Sequence, residues 1–116
     1  MSSPTMRRKM ATAVQHPGEV LAARLEAVGI LPTELARQLS VPANRITQIV
    51  NGKRGITGDS ALRLAHWFGT EPEFWMGLQA RYDLQLAEVE AGRAIRSLPK
   101  GPDVHGPKAG KQAQTA

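Results

Sequence analysis

The sequence predicts an all-α protein: one domain of five helices, the last of them long, between two flexible basic tails. Apolar residues recur three, four and seven positions apart in five successive segments of the 116-residue chain. Proline or glycine stands at the ends of most of these segments, where helices tend to begin and end. Beyond Gly92 the chain is rich in glycine and proline and nearly free of apolar residues, which is typical of disorder.

The composition narrows the class of protein. We expect a flexible arm over residues 1–15, a folded domain over residues 16–92 and a disordered basic tail over residues 93–116. The chain has no cysteine, which excludes disulfides, a thiol nucleophile and cysteine-ligated metal. No apolar run approaches the roughly 18 residues of a membrane span, and the N-terminus lacks an apolar signal core. We therefore expect a cytoplasmic protein with no membrane partner.

The net charge of +5 is concentrated in the tails. Between Pro17 and Gly92 there are seven basic and nine acidic residues, so the charge of the whole chain is poor evidence for a nucleic-acid-binding domain. The basic run Arg7-Arg8-Lys9 in the N-terminal arm suits contact with phosphate and simple solvation equally well.

The first helix is predicted to start at His16-Pro17 and to end at Gly29, with Leu21, Leu25 and Val28 on its apolar face. A second helix follows, for which Thr33 is the predicted cap. Its apolar face consists of Leu35, Ala36 and Leu39.

Pro42 interrupts the second helix and is suited to the first turn of a third, which we predict from about Pro42 to Val50. Gly52 then ends it in a left-handed conformation. The third helix would bury Ile46, Ile49 and Val50. Its opposite face would show Ala43, Asn44, Arg45, Thr47 and Gln48.

Two helices joined by a short corner form a helix-turn-helix, whose second helix can enter the DNA major groove. Asn and Gln can bind adenine through two hydrogen bonds, Arg can bind guanine and Thr can contact a thymine methyl. The alternative is an ordinary helical pair with a polar outer face. Charge favours DNA, because no acidic residue lies between Leu35 and Gly58, a stretch that contains Arg37, Arg45, Lys53 and Arg54.

Thr57 or Asp59 can cap a fourth helix, in which Ala61, Leu64, Ala65 and Phe68 form the apolar face and Leu62 widens it. The fifth helix is predicted from Pro72 to about Glu90. Its apolar face consists of Trp75, Leu78, Tyr82, Leu86 and Val89.

The fifth helix is also the predicted dimerisation surface, through Tyr82, Leu86 and Val89, because its apolar face extends beyond what one small core can cover. The alternative is that these three side chains pack back on the first helix. No metal site is predicted, since His16, His66 and His105 are far apart in the sequence without nearby ligands. No arrangement of residues suggests an enzyme.

Several motifs resemble known families. The pattern from Thr33-Glu-Leu-Ala to Asn51-Gly52-Lys53 resembles the Xre, or λ-repressor-like, helix-turn-helix family. More specifically, residues 14–92 resemble the HigA antitoxins of bacterial toxin–antitoxin modules. That resemblance rests on His16-Pro-Gly-Glu19, Arg54-Gly-Ile-Thr57, Ala61-Leu-Arg-Leu-Ala65, Phe74-Trp75-x-x-Leu78-Gln79 and Tyr82-Asp83-Leu84.

The HigA resemblance implies a homodimer that represses its own operon by binding a palindromic operator in double-stranded DNA. It also implies a HigB-like partner toxin of the RelE-like, mRNA-cleaving type, no enzymatic activity and no cofactor. Base contacts would fall on Ala43, Asn44, Thr47 and Gln48, with Arg45 available to base or phosphate. Phosphate contacts would fall on Gln38, Lys53 and Arg54. Ala43 departs from the Gln or Ser common in the wider superfamily, so the operator sequence stays open.

Two alternatives remain at this point. One is a stand-alone Xre-family transcriptional regulator without a toxin partner. The other is an interaction module whose helix-turn-helix face contacts protein and not DNA.

Overall fold

A computed structural model describes residues 14–103, and within this range it contains five α-helices and no strand. The helices are α1 (Pro17–Val28), α2 (Pro32–Leu39), α3 (Ala43–Val50), α4 (Gly58–Phe68) and α5 (Pro72–Arg96). The predicted all-α class is therefore confirmed. None of these helices is both long enough and apolar enough to cross a membrane.

Trp75 lies at the centre of the core and is completely buried. Its indole Nε1 donates a hydrogen bond of 2.9 Å to Thr70 Oγ1, which satisfies the polar atom that a buried tryptophan brings with it. The rings of Phe68 and Phe74 lie 5.4 and 5.0 Å from the Trp75 ring. The Arg24 guanidinium covers the outer side of this cluster, 4.7 Å from the centre of the Phe74 ring. Helices α1, α4 and α5 are thereby joined.

The remaining core residues come from helices α1 to α4 and from the loop before α4. They are Leu21, Leu25, Leu35, Ala36, Leu39, Ile46, Ile49, Ile56, Ala61, Leu64 and Ala65.

Two predicted core positions were wrong. Val28 and Leu62 lie on the expected helical faces but are 54% and 62% exposed. Helical spacing fixes the direction in which a side chain points, whereas burial also requires a neighbouring helix at that turn. Val50 is only half-buried for the same reason.

The predicted cap of α2 was also wrong. The helix begins at Pro32, preceded by Leu31, and Thr33 lies inside its first turn. Proline favours the first helical position because its fixed φ suits the helix and it has no N–H to satisfy, so the helix begins ahead of the threonine. At α4 the structure decides between the two candidates: Thr57 Oγ1 accepts a hydrogen bond from the Ser60 N–H, and Asp59 lies within the first turn.

Helix α5 is longer than predicted. It continues through the predicted end at Glu90 and four residues beyond the predicted domain boundary, to Arg96. Arg93 and Arg96 lie in its last turn, where positive charge interacts favourably with the helix dipole, and Arg96 pairs with Glu88. Residues 1–13 of the predicted arm (residues 1–15) and residues 104–116 of the predicted tail (residues 93–116) lie outside the described residues.

Candidate nucleic-acid interface

The turn between α2 and α3 is formed by residues 40–42. Ser40 adopts a left-handed conformation with φ 59°. Its N–H donates to the Arg37 carbonyl at 3.1 Å, and the Val41 N–H donates to the Ala36 carbonyl at 3.0 Å. This pair of bonds ends α2 in the Schellman manner. Pro42 is extended, with ψ 146°, so α3 starts at Ala43, one residue later than predicted.

One face of α3 is fixed in the core. Ile46 and Ile49 are completely buried. Gly18, at the start of α1, lies so close to the end of α3 that a Cβ at this position would overlap the Ile49 carbonyl. The orientation of α3 is therefore set by direct backbone contact with α1 as well as by apolar packing.

The other face of α3 carries the five predicted base-contacting residues. Ala43 and Asn44 are exposed, while Arg45, Thr47 and Gln48 are half-buried. None of these side chains is enclosed by the core. Among residues 14–103, this face combines an amide, a hydroxyl and a methyl group on one short helix, and two exposed cations, Lys53 and Arg54, follow it.

Arg45 is engaged with an acidic residue that sequence reasoning did not place near it. Its guanidinium pairs with the Asp59 carboxylate, which also accepts a hydrogen bond of 2.8 Å from Arg63 Nε. Arg63 Nη1 in turn donates to the Leu39 carbonyl at 2.7 Å, at the end of α2. The bonds from Arg63 and then Arg45 hold the pKa of Asp59 below its usual range. This network fastens the start of α4 to both helices of the motif.

Gln38, predicted to contact phosphate, is held from both ends of its amide. Its Oε1 accepts from Trp67 Nε1 at 2.7 Å, and its Nε2 donates to Glu34 at 2.8 Å. Glu34 also accepts two bonds from Arg37, and the bonds from Arg37 and then Gln38 lower the pKa of Glu34 to about 2. Glu34 and Asp59 stand on either side of the stretch that lacks acidic residues. They pair with Arg37 and Arg45, two of the cations within that stretch.

The loop after α3 is anchored to α5. The Ile56 N–H donates to Gln79 Oε1 at 2.7 Å, and Gly55 packs so closely on the Gln79 side chain that a Cβ there would lie 3.0 Å from its oxygen. Within this loop, Arg54 Nε donates to Gln48 Oε1 at 2.9 Å. Gln79 is a positioning residue that sequence reasoning did not identify. Its only signal was its place in the Phe74-to-Gln79 motif.

The three predicted dimerisation residues differ in their surroundings. The Tyr82 ring packs edge-on against His16, with 4.8 Å between ring centres, at the start of α1. Tyr82 therefore packs against the start of the first helix, which was the alternative to a role in dimerisation. Leu86 is half-buried and Val89 is 72% exposed. Val89 and Leu84 line a shallow groove of about 310 Å³ together with Val14, Gln85 and Glu88.

Residues 14–103 contain no cluster of histidine, aspartate and glutamate side chains able to hold a metal ion. What the structure offers is a short helix fixed on one face and polar on the other, with exposed cations beside it. These features define a helix-turn-helix DNA-binding protein.

Comparison with known proteins agrees with this class. The pattern of the helix-turn-helix family matches residues 21–75. The structure of a HigA-family addiction module antidote protein from Coxiella burnetii is 45% identical, with a TM-score of 0.73 over 75% of this chain and 96% of that one. The Pseudomonas aeruginosa antitoxin HigA, solved with the higBA promoter, is 41% identical, with a TM-score of 0.70 over 72% and 94%.

The relatives found by sequence include virulence-associated proteins and transcriptional regulators. Virulence-associated protein I of Dichelobacter nodosus is 42% identical over 91 residues, which are 78% of this chain and 82% of that protein. An uncharacterised helix-turn-helix transcriptional regulator of Haemophilus influenzae is 43% identical over 68 residues, or 58% and 64%. The chain belongs to the helix-turn-helix family of DNA-binding proteins and, within it, to the HigA-type addiction-module antidote proteins.

Proposed function

We propose that this protein is the antitoxin of a type II toxin–antitoxin module. In this proposal it binds a palindromic operator as a homodimer, represses its own operon, and binds and neutralises a HigB/RelE-like mRNA-cleaving toxin. The observation that carries the DNA-binding part is the outer face of α3, where Asn44, Thr47 and Gln48 point away from the core that holds Ile46 and Ile49.

The outer face of α3 is assigned to base contacts. Asn44 and Gln48 provide amides that can hydrogen-bond to base edges, and Ala43 and Thr47 provide methyl groups that can contact thymine. Arg45 contacts a base or a phosphate once DNA replaces Asp59 as the partner of its guanidinium.

Residues around α3 are assigned to the phosphate backbone. Lys53 and Arg54 are exposed and lie just beyond its C-terminal end. Gln38 lies on α2 with its amide oriented by Trp67. Such contacts set affinity and position along the duplex without selecting a sequence.

We propose that two copies pair through the C-terminal half of α5, through Leu86 and Val89, with Tyr82 at the edge of the interface. The support is the unusual exposure of apolar side chains along this part of the helix: Leu84 is 71% exposed and Val89 is 72% exposed. A dimer places two α3 helices on one side of the duplex. Half-sites spaced by about one helical turn, ~34 Å, would then be contacted together.

The test of DNA binding compares two classes of variant on the upstream region of the operon. Asn44→Ala and Gln48→Ala each remove an amide that can form two hydrogen bonds to one base, and each is expected to weaken specific binding by about 1–3 kcal/mol. The matched surface variant Lys53→Ala is expected to weaken binding to all DNA sequences alike and to reduce the dependence of affinity on salt concentration. Equal effects of both classes on specific and non-specific DNA would contradict the division of roles.

The toxin-neutralising part rests on the family of the chain. The test is co-expression with the neighbouring reading frame. Growth arrest by that frame alone, growth with both genes, and co-purification of the two proteins are the expected results. Absence of a toxic neighbour would instead favour a stand-alone Xre-family regulator, and some relatives are named as transcriptional regulators.

A third possibility is that the α3 face contacts protein. Unchanged operator binding by the Asn44→Ala, Gln48→Ala double variant at physiological salt would favour it.

A further inference from the structure

The hydrogen bond between Arg54 and Gln48 joins a predicted phosphate contact to a predicted base contact. Arg54 Nε lies 2.9 Å from Gln48 Oε1. A guanidinium has five N–H donors and no acceptor. It can therefore bond only to the oxygen of the glutamine amide, and this chemistry fixes which end of the amide faces Arg54.

Arg54 is itself held in place by the fold. The loop that carries it follows Gly52, whose φ of 76° turns the chain out of α3. Two residues after Arg54, the Ile56 N–H is bound by Gln79 of α5, and Ile56 is only 3% exposed. The backbone that carries Arg54 is consequently positioned by α5 and by the core, and its guanidinium reaches back from this loop to Gln48.

The oriented amide favours one kind of base edge. With Oε1 directed to Arg54, the end of Gln48 offered to DNA is Nε2, which carries two N–H donors. The familiar bidentate contact of glutamine with adenine needs both ends of the amide, the oxygen on N6–H and the nitrogen on N7. Guanine presents two acceptors, N7 and O6, in the major groove. An amide that presents only donors therefore matches guanine better than adenine.

Electrostatics act in the same direction. The positive guanidinium beside Oε1 disfavours the approach of the adenine amino group, which is itself a donor. The acceptor edge of guanine is attracted by the same charge. Arg54 is an exposed residue, and only its Nε is used in the bond to Gln48, so its Nη groups can bond a phosphate oxygen and a single side chain can serve both contacts.

We infer that Arg54 is a specificity-determining positioning residue, which orients the Gln48 amide so that Gln48 selects guanine at its operator position. This inference rests on the proposed DNA-binding function and deepens it.

The test begins by selecting binding sites for the wild-type protein from a random double-stranded DNA library. The base contacted by Gln48 is the position at which Gln48→Ala loses its preference. Affinities are then measured for the four base pairs at this position with the wild type, Arg54→Met and Lys53→Met. Each variant removes one exposed cation of the same loop, but only Arg54 is bonded to Gln48.

The wild type is expected to favour guanine over adenine. Arg54→Met is expected to lower or reverse that ratio by about five- to hundredfold, the range that one bidentate contact contributes. Lys53→Met should reduce affinity for all four sequences and leave the ratio unchanged. In the Gln48→Ala background, Arg54→Met should have no effect on the ratio.

Two other outcomes are distinguishable. A wild-type preference for adenine, or a ratio that Arg54→Met leaves unchanged while selection yields a clear operator, overturns this inference alone. If the wild type selects no sequence, the proposed function fails and this inference fails with it. Thermal unfolding of each variant, followed by circular dichroism, confirms that the compared proteins are folded.

Discussion

Arg45 of α3 and Asp59 of α4 form an ion pair that joins the first turns of the two helices. They are 14 residues apart in the sequence. The pair places a negative charge beside the helix proposed to enter the major groove, where it neutralises one of the cations that favour DNA. Asp59 therefore opposes binding to DNA of any sequence. It also fixes the position of Arg45 through a carboxylate that Arg63 bonds as well.

Replacing Asp59 with asparagine should strengthen binding to DNA of any sequence. The substitution removes a negative charge and releases Arg45 to a phosphate. We expect the slope of log affinity against log salt to steepen by about 0.9, the value for one additional phosphate contact. Binding to a non-specific duplex at several salt concentrations measures this slope. Glu90→Gln, which removes an exposed charge on α5, is the control, and an identical slope for both variants would show that Arg45 stays away from DNA.

Leu86→Glu should convert the proposed dimer into a monomer. Leu86 lies half-buried on the α5 surface that includes the exposed Val89, and a charge enclosed in an apolar interface is strongly unfavourable. Light scattering reports the molar mass. Leu62→Glu, at a leucine that is 62% exposed on α4, is the matched control and should leave the mass unchanged. A dimeric Leu86→Glu variant places the interface elsewhere.

Alanine at two helical glycines should have opposite effects on stability. At Gly18 the added methyl overlaps the Ile49 carbonyl, so α1 or α3 must move, and we expect the free energy of unfolding to fall by about 1–3 kcal/mol. At Gly77 on α5 the methyl meets nothing within 4 Å, so the higher helix propensity of alanine should add about 0.5–1 kcal/mol. Urea unfolding of both variants measures the difference. Equal stabilities would contradict the close approach of α1 to α3.

The stability of the domain should fall as the pH drops below about 6.5, the usual pKa of histidine. His16 Nδ1 accepts a hydrogen bond from the Gly18 N–H, and burial lowers the pKa of His16 although Glu19 and Asp83 act against it. Because the folded state binds this proton less readily than the unfolded state, the contribution is complete above pH 6.5 and decreases as the pH falls towards the lowered pKa.

Urea midpoints measured between pH 7.5 and 5 follow this decrease in stability. His16→Asn keeps a capping oxygen but does not titrate, so it should flatten the dependence over this range. A wild-type midpoint that stays constant from pH 7.5 to 5 would rule out this role for His16.

Local sequence was sufficient for most of the secondary structure. Helical spacing and the positions of proline and glycine located all five helices, and Gly29, Gly52 and Gly69 adopt left-handed conformations. The errors occurred at helix ends. Pro32 and not Thr33 begins α2. Helix α5 extends to Arg96 because a single glycine, Gly92, weakens a helix without ending it, and the next proline is Pro99.

The polar outer face of α3 was likewise predictable, since it follows from the apolar spacing of Ile46 and Ile49. The partners of its side chains were not. Asp59 approaches Arg45 and Gln79 fixes the loop of Arg54 only after α4 and α5 have packed. Contacts between residues 14 and 23 positions apart depend on the angles between helices, which no local pattern encodes.

By itself the sequence determined the five helices, the motif that α2 and α3 form and the polar surface of α3, because each depends on neighbours within a few residues. Only the tertiary structure decided which of the cations near α3 are neutralised, which atom of the Gln48 amide is bonded to Arg54 and which apolar residues of α5 stay uncovered. Those properties arise from helix packing, which brings distant charges within hydrogen-bonding distance and leaves the end of a long helix beyond the reach of its own core.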